Sequence, residues 1–374
     1  MSASPERSGP VRLLVLEGDG IGTEIVGATR RVLDAVDSAL RIGFACETAL
    51  IGFASLARHG TTITDEVVER AKAVDGVVLG PVSHNDYPPV AQGGLNPSGQ
   101  LRKRLDLFAN IRPARSHPGF PPRCGKPVDL VVCRENTEGF YADRSMHLGP
   151  GEFMPTEDVA LAIRKVTRKG SLRIAEEAFK IAMQRRRKVT AVHKANVLRV
   201  SDGLFLECVR SVAARHPQVE YEEKIIDAMA ALLVRDASVF DVVLATNMYG
   251  DILSDQATEI SGSIGLAASI NAGTDHALAQ AQHGSAPDIA GQDKANPSSL
   301  IGSVAMLLAW LSERRGDARL SKASALIDEA LNRTIAVPEW RTGDLGGPLG
   351  TVAFTDRVVA VIAETAGQAV KRNG

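Results

Sequence analysis

Short apolar segments and amphipathic segments alternate along most of this chain, and this alternation constrains its fold more than any other feature. "RLLVLEG" precedes the helical pattern "GTEIVGATRRVLDAV", and the later segments "VDLVVCREN", "KVTAVHKAN" and "FDVVLATNMYG" each end in polar residues. Amphipathic stretches such as "SLRIAEEAFKIAMQRR" lie between them. The pattern predicts an α/β protein with a largely parallel sheet, in which ligands bind at the carboxyl ends of the strands.

Length and composition exclude several classes of protein. A chain of 374 residues can form two domains, and a net charge of -1 gives no reason to expect nucleic acid or an anionic membrane as a partner. The four cysteines are scattered without metal-site spacing. No apolar run approaches the roughly 20 residues that a membrane span needs. We therefore predict a cytoplasmic protein that binds neither nucleic acid nor membrane.

The segment "VLEGDGIGTEIV" raises the question of nucleotide binding. Gly18, Gly20 and Gly22 follow an apolar strand and precede a helical pattern. A Rossmann fingerprint needs the spacing G-x-G-x-x-G, whereas the spacing here is G-x-G-x-G, with Asp19 and Glu17 beside the glycines. Carboxylates repel a pyrophosphate. A tight strand-to-helix turn and a ligand loop are equally open interpretations of this segment alone.

Two aspartates in "NMYGDILSDQATE" form the sharpest chemical signal. Asp251 and Asp255 are four residues apart on a predicted helix, so both carboxylates project from one face. Like charges so placed repel each other unless a cation lies between them, and carboxylate oxygens suit Mg²⁺ or Mn²⁺. The alternative is that both residues lie at the start of a helix, where the helix dipole stabilises acidic side chains. The two aspartates alone do not distinguish a metal site from a helix start.

Several cations accompany these carboxylates. Lys194 follows the strand "KVTAV", and a lysine among desolvating neighbours can act as a base, although an exposed lysine is the commoner case. Arg102, Arg112 and Arg134 lie at predicted strand and helix ends and suit bidentate capture of a carboxylate, although most single arginines are surface residues. Together with the aspartates, they indicate a small polyanionic substrate beside a divalent metal.

The segment "HGSAPDIAGQDKANP" is a candidate cofactor loop. Its small residues and prolines allow the backbone to approach a flat ligand, while Asp288 and Asn296 offer polar groups. An acidic residue can accept hydrogen bonds from both ribose hydroxyls and would repel a 2′-phosphate. An ordinary surface loop is the alternative, since Gly, Pro and Ser favour one.

Seven motifs occur along the chain in this order: "GDGIG", "LRKRLDLFANIRP", "RENTEG", "HKANV", "GDILSD", "HGSAPDIAG" and "DLGG". Together they resemble the motifs of the metal-dependent β-decarboxylating dehydrogenases. This group comprises isocitrate, isopropylmalate, homoisocitrate and tartrate/D-malate dehydrogenases. The resemblance runs from about Val11 to the C-terminus. It implies an α/β, isopropylmalate-dehydrogenase-like two-domain fold with a large mixed sheet, not a Rossmann fold. Residues 1–108 and 263–374 would form the first domain, on the cofactor side, with the adenosine-binding loop in its C-terminal part. Residues 109–262 would form an inserted second domain for metal binding, catalysis and dimerisation.

The resemblance also implies NAD and Mg²⁺ or Mn²⁺ as cofactors, and a homodimer with shared active sites. Hydride would leave C2 of a 2-hydroxy acid to nicotinamide, and CO₂ would depart beside the new ketone. Asp227 and Lys194 would reach the site from the partner subunit. The implied residues are Tyr141 and Lys194 for proton transfer; Ser98, Arg102, Arg112 and Arg134 for the polycarboxylate substrate; Asp227, Asp251 and Asp255 for the metal; and Ile21, Asn196, His283, Gly284, Ser285, Ala286, Asp288, Ile289 and Asn296 for the cofactor.

The segment "LNPSGQLRKR" carries the prediction about the substrate's variable group. The related isopropylmalate enzymes place leucines before the arginine that matches Arg102, whereas this chain has Asn96, Ser98 and Gly99. An isopropyl group facing Ser98 would bury a hydroxyl without a partner. We therefore predict isocitrate or tartrate/malate as substrate, with isopropylmalate or homoisocitrate as alternatives.

A non-catalytic regulatory subunit is a weaker alternative, because none of the catalytic or metal residues is lost. The aspartates also argue against a related phosphorylated-alcohol dehydrogenase, which would use histidine ligands.

Overall fold

A computed structural model describes residues 9–141 and 146–373 of the chain, with side chains up to residue 368. Within these ranges the strands are β1 (Val11–Leu16), β2 (Phe44–Ala49), β3 (Gly76–Leu79), β4 (Ala109–Arg115), β5 (Asp129–Glu135), β6 (Glu152–Thr156), β7 (Val159–Ala162), β8 (Lys188–His193), β9 (Glu220–Ile225), β10 (Val242–Ala245), β11 (Ile270–Ala272) and β12 (Ala277–Gln280). The α-helices are α1 (Gly22–Leu40), α2 (Gly52–His59), α3 (Asp65–Ala73), α4 (Pro97–Arg104), α5 (Arg168–Met183), α6 (Ser201–Ala213), α7 (Ile226–Asp236), α8 (Asn247–Ser261), α9 (Ser298–Arg315), α10 (Ala318–Ala336) and α11 (Thr351–Asn373). Strands and helices thus alternate along much of the chain, as its apolar pattern predicts.

One large sheet organises the molecule. Its strands run in the order β2-β1-β3-β12-β11-β4-β5-β10-β8-β9. Pairing is parallel towards both edges, whereas β11 is antiparallel to β12 and β4, and β4 is antiparallel to β5. The sheet is therefore mixed, with antiparallel pairing confined to its centre. This architecture confirms the predicted α/β class with a large mixed sheet.

The strand order also groups distant parts of the chain. Strands β2, β1, β3, β12 and β11 come from the two ends of the sequence, and β4, β5, β10, β8 and β9 come from its middle. The pair β11–β4 joins the two groups within the same sheet. The division into domains at residues 1–108, 109–262 and 263–374 stays a prediction.

Both faces of the sheet are covered away from its edge strands, which explains why β3 and β10 are apolar without interruption. In β1, Leu13 and Val15 pack on the face that also carries α1, α9 and α10, whereas Leu14 and Leu16 pack on the opposite face with α3 and α4. At the other end of the sheet, α7 and α8 pack on residues of β5 and β10. Strand β1 alternates between two cores with a period of two, as strand geometry requires.

Strands β6 and β7 form a separate antiparallel hairpin whose residues are all exposed. None of the helices in the described ranges combines the length and the apolar character needed to cross a membrane. The predicted cytoplasmic location stays a prediction.

Candidate active site

A cleft of about 240 Å³ lies where strands β3, β5 and β12 end and helix α4 begins. It brings together polar side chains that are more than 150 residues apart in the sequence. The predicted site residues that line it are Ser98, Arg102, Arg112, Arg134, Tyr141, Asp251, His283 and Gly284. The fold therefore gathers around a single cavity all four predicted substrate residues, one predicted catalytic residue, one predicted metal ligand and two predicted cofactor residues.

Asp251 is the anionic centre of this cleft. Its Oδ1 accepts hydrogen bonds from Arg112 Nη1 at 3.1 Å and from Arg134 Nη1, and its Oδ2 accepts one from the Tyr141 hydroxyl at 3.2 Å. Burial alone would raise the pKa of Asp251, but Arg134, Arg112 and Arg102 outweigh burial and hold the pKa below its ordinary value. Asp251 is thus ionised at neutral pH and fixed in position.

Arg112 joins the two predicted metal-binding aspartates. Its Nη1 lies 3.1 Å from Asp251 Oδ1 and 3.1 Å from Asp255 Oδ1, and it also donates to Ser254 Oγ at 2.8 Å. Burial and the neighbouring Arg134 lower the pKa of Arg112 to about 10, so it stays charged at neutral pH. The cation expected between the aspartates is therefore present within the chain as a guanidinium, and a metal is not required to explain the pair.

The donor chemistry nevertheless fits a divalent ion. Asp251 and Asp255 supply hard carboxylate oxygens of the kind that Mg²⁺ and Mn²⁺ prefer. No group of three or more histidine, cysteine or acidic side chains that could hold a metal occurs within residues 9–141 and 146–368. Asp227, at the start of α7, instead makes an ion pair with Lys194, and neither residue lines the cleft. One chain thus offers two of the three predicted ligands near the cleft.

A buried aspartate that the sequence analysis did not identify fixes the backbone at Lys194. Asp202, in the first turn of α6, is fully buried, and its Oδ2 accepts the Lys194 backbone N–H at 2.6 Å. Arg164 donates to Asp202 and, at 3.0 Å, to Thr246 Oγ1. The segment "SDGLF" gave only the signal of an acidic residue at a helix start. Asn196 is exposed on the loop that carries Lys194 and is not among the residues that line the cleft.

The "GDGIG" segment forms a tight turn whose glycines are required by close contacts. Gly18 and Gly20 have φ values of 77° and 57°, which favour glycine. A Cβ at Gly18 would lie 2.1 Å from the Pro81 carbonyl oxygen, and one at Gly20 would lie 2.0 Å from that of Ser285. The Ile21 N–H donates to the same Ser285 oxygen at 2.9 Å. The turn therefore holds the predicted cofactor loop directly.

The acidic residue of that turn has a structural role. Asp19 is buried, and its carboxylate accepts hydrogen bonds from the Phe53 N–H at 2.8 Å, the Ser83 N–H at 3.0 Å and the Tyr87 hydroxyl. Asp19 thus joins the start of α2 to the segment after β3. The carboxylate that argued against a pyrophosphate site is used inside the protein.

Apart from Asn196, the predicted cofactor residues occupy one loop and the turn that contacts it. Ser285 Oγ lies 2.7 Å from Ser83 Oγ, and Asn296 Nδ2 donates to Asp344 Oδ2 at 2.9 Å, which links the loop to "DLGG". Ala286 has a φ of 36° and precedes the 3₁₀ turn Pro287–Ile289. Asp288 in this turn is exposed, and no side-chain hydrogen bond or ion pair from it is found in the described part of the chain.

His283 carries an unused nitrogen beside the cleft. Its Nδ1 lies 2.9 Å from the Gly284 carbonyl oxygen, while its Nε2 is buried and has no hydrogen-bond partner among the described residues. Burial lowers the pKa of His283, so the imidazole is neutral at neutral pH. A bound ligand could satisfy Nε2, which fits the predicted role of this residue in cofactor binding.

Two further residues that contact the arginines of the cleft were missed by the sequence analysis. Gln280, the last residue of β12, accepts hydrogen bonds on Oε1 from Ser98 Oγ at 3.0 Å and Arg102 Nη2 at 3.1 Å. Asn247, the first residue of α8, accepts on Oδ1 from Arg134 Nε at 3.1 Å and Nη2 at 2.7 Å. Gln280 ends the apolar strand β12 and Asn247 comes just after the apolar strand β10, which is the signal that could have identified them.

Comparison with known proteins agrees with this geometry. The family model described as isocitrate/isopropylmalate dehydrogenase matches residues 12–360. The chain belongs to the isocitrate/isopropylmalate dehydrogenase family. It is 41% identical over 353 residues to the isocitrate/homoisocitrate dehydrogenase of Thermus thermophilus, covering 94% of this chain and 98% of that protein.

Other members of the isocitrate/isopropylmalate dehydrogenase family extend the match. The chain is 37% identical to the mitochondrial isocitrate dehydrogenase [NAD] catalytic subunit 6 of Arabidopsis thaliana, covering 94% of this chain and 88% of that protein. The crystal structure of isocitrate dehydrogenase from Methylococcus capsulatus superimposes with a TM-score of 0.84 at 37% identity, covering 94% of this chain and 99% of that one. These matches confirm the family and the fold that the sequence motifs imply.

Proposed function

We propose that the chain catalyses the NAD-dependent, divalent-metal-dependent oxidative decarboxylation of a malate-type 2-hydroxy acid. The observation that carries the proposal is the convergence of Arg102, Arg112, Arg134 and Tyr141 around Asp251 in one cleft. Guanidinium groups bind carboxylates through paired, charge-assisted hydrogen bonds, so three of them suit a polycarboxylate. A non-catalytic regulatory subunit is disfavoured because all of the predicted catalytic and metal residues are retained.

The arginines would bind and orient the acid. Arg134 is fixed by Asn247 and Asp251, and Arg112 by Asp251, Asp255 and Ser254, so neither needs to reorganise when a carboxylate arrives. A preorganised guanidinium contributes more to orientation than a mobile one, because less side-chain entropy is lost on binding. Arg112 and Arg134 would therefore hold the acid so that the carbon to be oxidised is correctly positioned.

The chain's own acid–base groups complete the proposal. When bound, NAD would supply a hydride acceptor, and Mg²⁺ or Mn²⁺ held by Asp251, Asp255 and the partner subunit's Asp227 would supply a Lewis acid. Tyr141 holds its hydroxyl 3.2 Å from Asp251 Oδ2 and would donate a proton to the carbon from which CO₂ leaves. Lys194 of the partner subunit would take the proton of the C2 hydroxyl.

A homodimer with shared sites is supported by two kinds of observation. Lys194 and Asp227 contact each other but do not line the cleft of their own chain. Large apolar side chains are exposed on α7 and α8, for example Val234 and Ile252, and on the hairpin β6–β7, for example Met154. Exposed apolar residues grouped on neighbouring helices are typical of an interface between subunits. A second copy seated there is our proposal for what covers them.

The proposed substrate is isocitrate or a tartrate/malate-type acid, and the structure changes the reason for it. Ser98 donates its hydroxyl to Gln280, so an isopropyl group beside Ser98 would not leave that hydroxyl unpaired. Asn96 uses its Oδ1 to accept the Gly99 N–H at 3.1 Å and cap α4. The support is now the polar wall itself, which includes Asn96, Ser98, His84 and Gln280. An apolar substituent would desolvate these groups without replacing their hydrogen bonds to water.

The test is turnover of isocitrate, malate, tartrate, homoisocitrate and isopropylmalate, each with NAD and with NADP. The proposal predicts the highest kcat/KM for isocitrate or a tartrate/malate-type acid with NAD. If isopropylmalate is the best substrate by about tenfold, the preference for a polar substituent is wrong. If no acid is oxidised while Mg²⁺ and NAD are present, the enzymatic proposal fails.

A further inference from the structure

Gln280 lies on the wall of the cleft beside helix α4, and its backbone is held in a fixed position. It ends β12, and its carbonyl oxygen accepts hydrogen bonds from Ser269 Oγ at 2.8 Å and Ser303 Oγ at 3.0 Å. Its side chain lines the cleft beside Ser98 and Arg102. Because the backbone is held on both sides, the reach of the side chain into the cleft is set by its own length.

The orientation of the Gln280 amide follows from its neighbours. Oε1 accepts from Ser98 Oγ at 3.0 Å, from Arg102 Nη2 at 3.1 Å and, at 3.5 Å, from Asn271 Nδ2. A guanidinium can only donate hydrogen bonds. If the amide of Gln280 were turned round, its NH₂ group would face the N–H donors of Arg102. Oε1 therefore faces α4, and Nε2 has no hydrogen-bond partner among the described residues. This leaves two N–H donors at the wall of the cleft.

The absence of a charge on the Gln280 side chain matters as much as its length. A carboxylate of the same length would lie at hydrogen-bond distance from Arg102 and offset the positive charge that this arginine offers to the substrate. An apolar side chain of the same length would leave Ser98 and Arg102 without this acceptor. Glutamine supplies an acceptor to α4 and donors to the cleft without adding negative charge.

We infer that Gln280 determines the preference for the substrate's variable group, by donating from Nε2 to an oxygen of that group. The ligand class is a 2-hydroxy acid whose third carbon carries a carboxylate-bearing or hydroxyl substituent, and a branched alkyl substituent is disfavoured. The inference rests on the proposed function and adds a residue outside the predicted set. Gln280 is close to the reaction in space, although 178 residues separate it from Arg102.

The experiment compares Gln280→Met, which keeps the length and removes the amide, with Gln280→Glu, which adds a charge. Gln218→Glu is the matched control, because Gln218 is exposed and its side chain contacts Met183, outside the cleft. Steady-state kcat and KM are measured with NAD and Mg²⁺ for isocitrate, malate and isopropylmalate. Thermal unfolding midpoints show whether each variant is folded.

We expect Gln280→Met to lower kcat/KM for isocitrate by about tenfold or more, chiefly through KM, because one hydrogen bond to a charged group is lost. Isopropylmalate should be affected less than threefold, so the ratio between the two acids shifts by about tenfold or more. Gln280→Glu should raise KM for every acid, and most for isocitrate with its additional carboxylate. Gln218→Glu should match the wild type.

The possible failures are distinct. If the wild type oxidises none of the acids, the proposed function is refuted and the inference falls with it. If the wild type is active but Gln280→Met lowers kcat/KM for all acids by one common factor, Gln280 only supports α4 and the inference is overturned. If Gln280→Met does not fold, Gln280→Glu decides: an equal rise of KM for isocitrate and isopropylmalate overturns the inference.

Discussion

The carboxylate of Asp19 is predicted to stabilise the turn that supports the predicted cofactor loop. Asp19 is 7% exposed, and its two oxygens accept hydrogen bonds from the Phe53 N–H, the Ser83 N–H and the Tyr87 hydroxyl. Burial and the adjacent Asp19 raise the pKa of Tyr87 well above its ordinary value, so this phenol stays protonated and donates. Replacing Asp19 by alanine removes the acceptor of all three donors at once.

The magnitude follows from the number of donors left without a partner. A buried donor without an acceptor costs about 1–3 kcal/mol, so Asp19→Ala should lower the free energy of unfolding by about 3–5 kcal/mol, allowing for partial access of water. Asp19→Asn keeps one acceptor oxygen but turns an NH₂ group towards a donor, and about 2–3 kcal/mol is expected. Tyr87→Phe removes a single donor and should cost about 1–2 kcal/mol.

Urea unfolding at pH 7, followed by tryptophan fluorescence at one protein concentration, measures these differences. The control is Asp86→Ala, because Asp86 is exposed and none of the described side-chain hydrogen bonds involves it; a change within about 0.5 kcal/mol is expected. In the double variant, Asp19→Asn and Tyr87→Phe should be non-additive, since they share one hydrogen bond. A loss below about 1 kcal/mol for Asp19→Ala would refute the reasoning.

Three further predictions concern the proposed reaction. EDTA should abolish turnover and Mg²⁺ or Mn²⁺ should restore it; full activity in a metal-free preparation would contradict the role of Asp251. Mixing inactive Lys194→Ala protein with inactive Asp251→Ala protein should recover part of the activity by subunit exchange, and no recovery after proven exchange would argue against shared sites. NAD should be preferred over NADP by about a hundredfold, because the exposed Asp288 would face a 2′-phosphate; equal kcat/KM values for the two cofactors would exclude this role.

Much of the fold could be predicted because inner strands of the parallel regions, such as β3 and β10, are buried on both faces. The segments around β5, β8 and β10 are mostly apolar and end in polar residues, so the positions of the strands and of the residues at their ends are visible in the sequence. The antiparallel centre was not visible in this way. Strands β11 and β12 are only three and four residues long, and short apolar runs do not show which partner they pair with.

The side chains of the cleft also include some that the sequence predicts and others that it does not. Arg112, Arg134 and Asp251 were identified by residue type and motif, but their mutual contacts depend on the tertiary structure. Gln280 and Asp202 were missed because a polar residue at a strand end and an acidic residue at a helix start do not show what they contact: the first contacts helix α4, and the second a backbone N–H. A residue whose role is to orient another residue has no pattern of its own in a single sequence.

The charge arrangement of the cleft would link the binding of the proposed acid to that of the proposed cation. In the chain alone, Arg112 and Arg134 are the counter-charges of Asp251, and Arg112 also that of Asp255. An incoming polycarboxylate would draw on the same guanidinium groups, and the aspartates would then lose part of their neutralisation. A divalent cation would restore it, so each ligand should favour the other, as reciprocal linkage requires. The arginines would thus keep Asp251 ionised and hold both aspartates in place before either ligand binds.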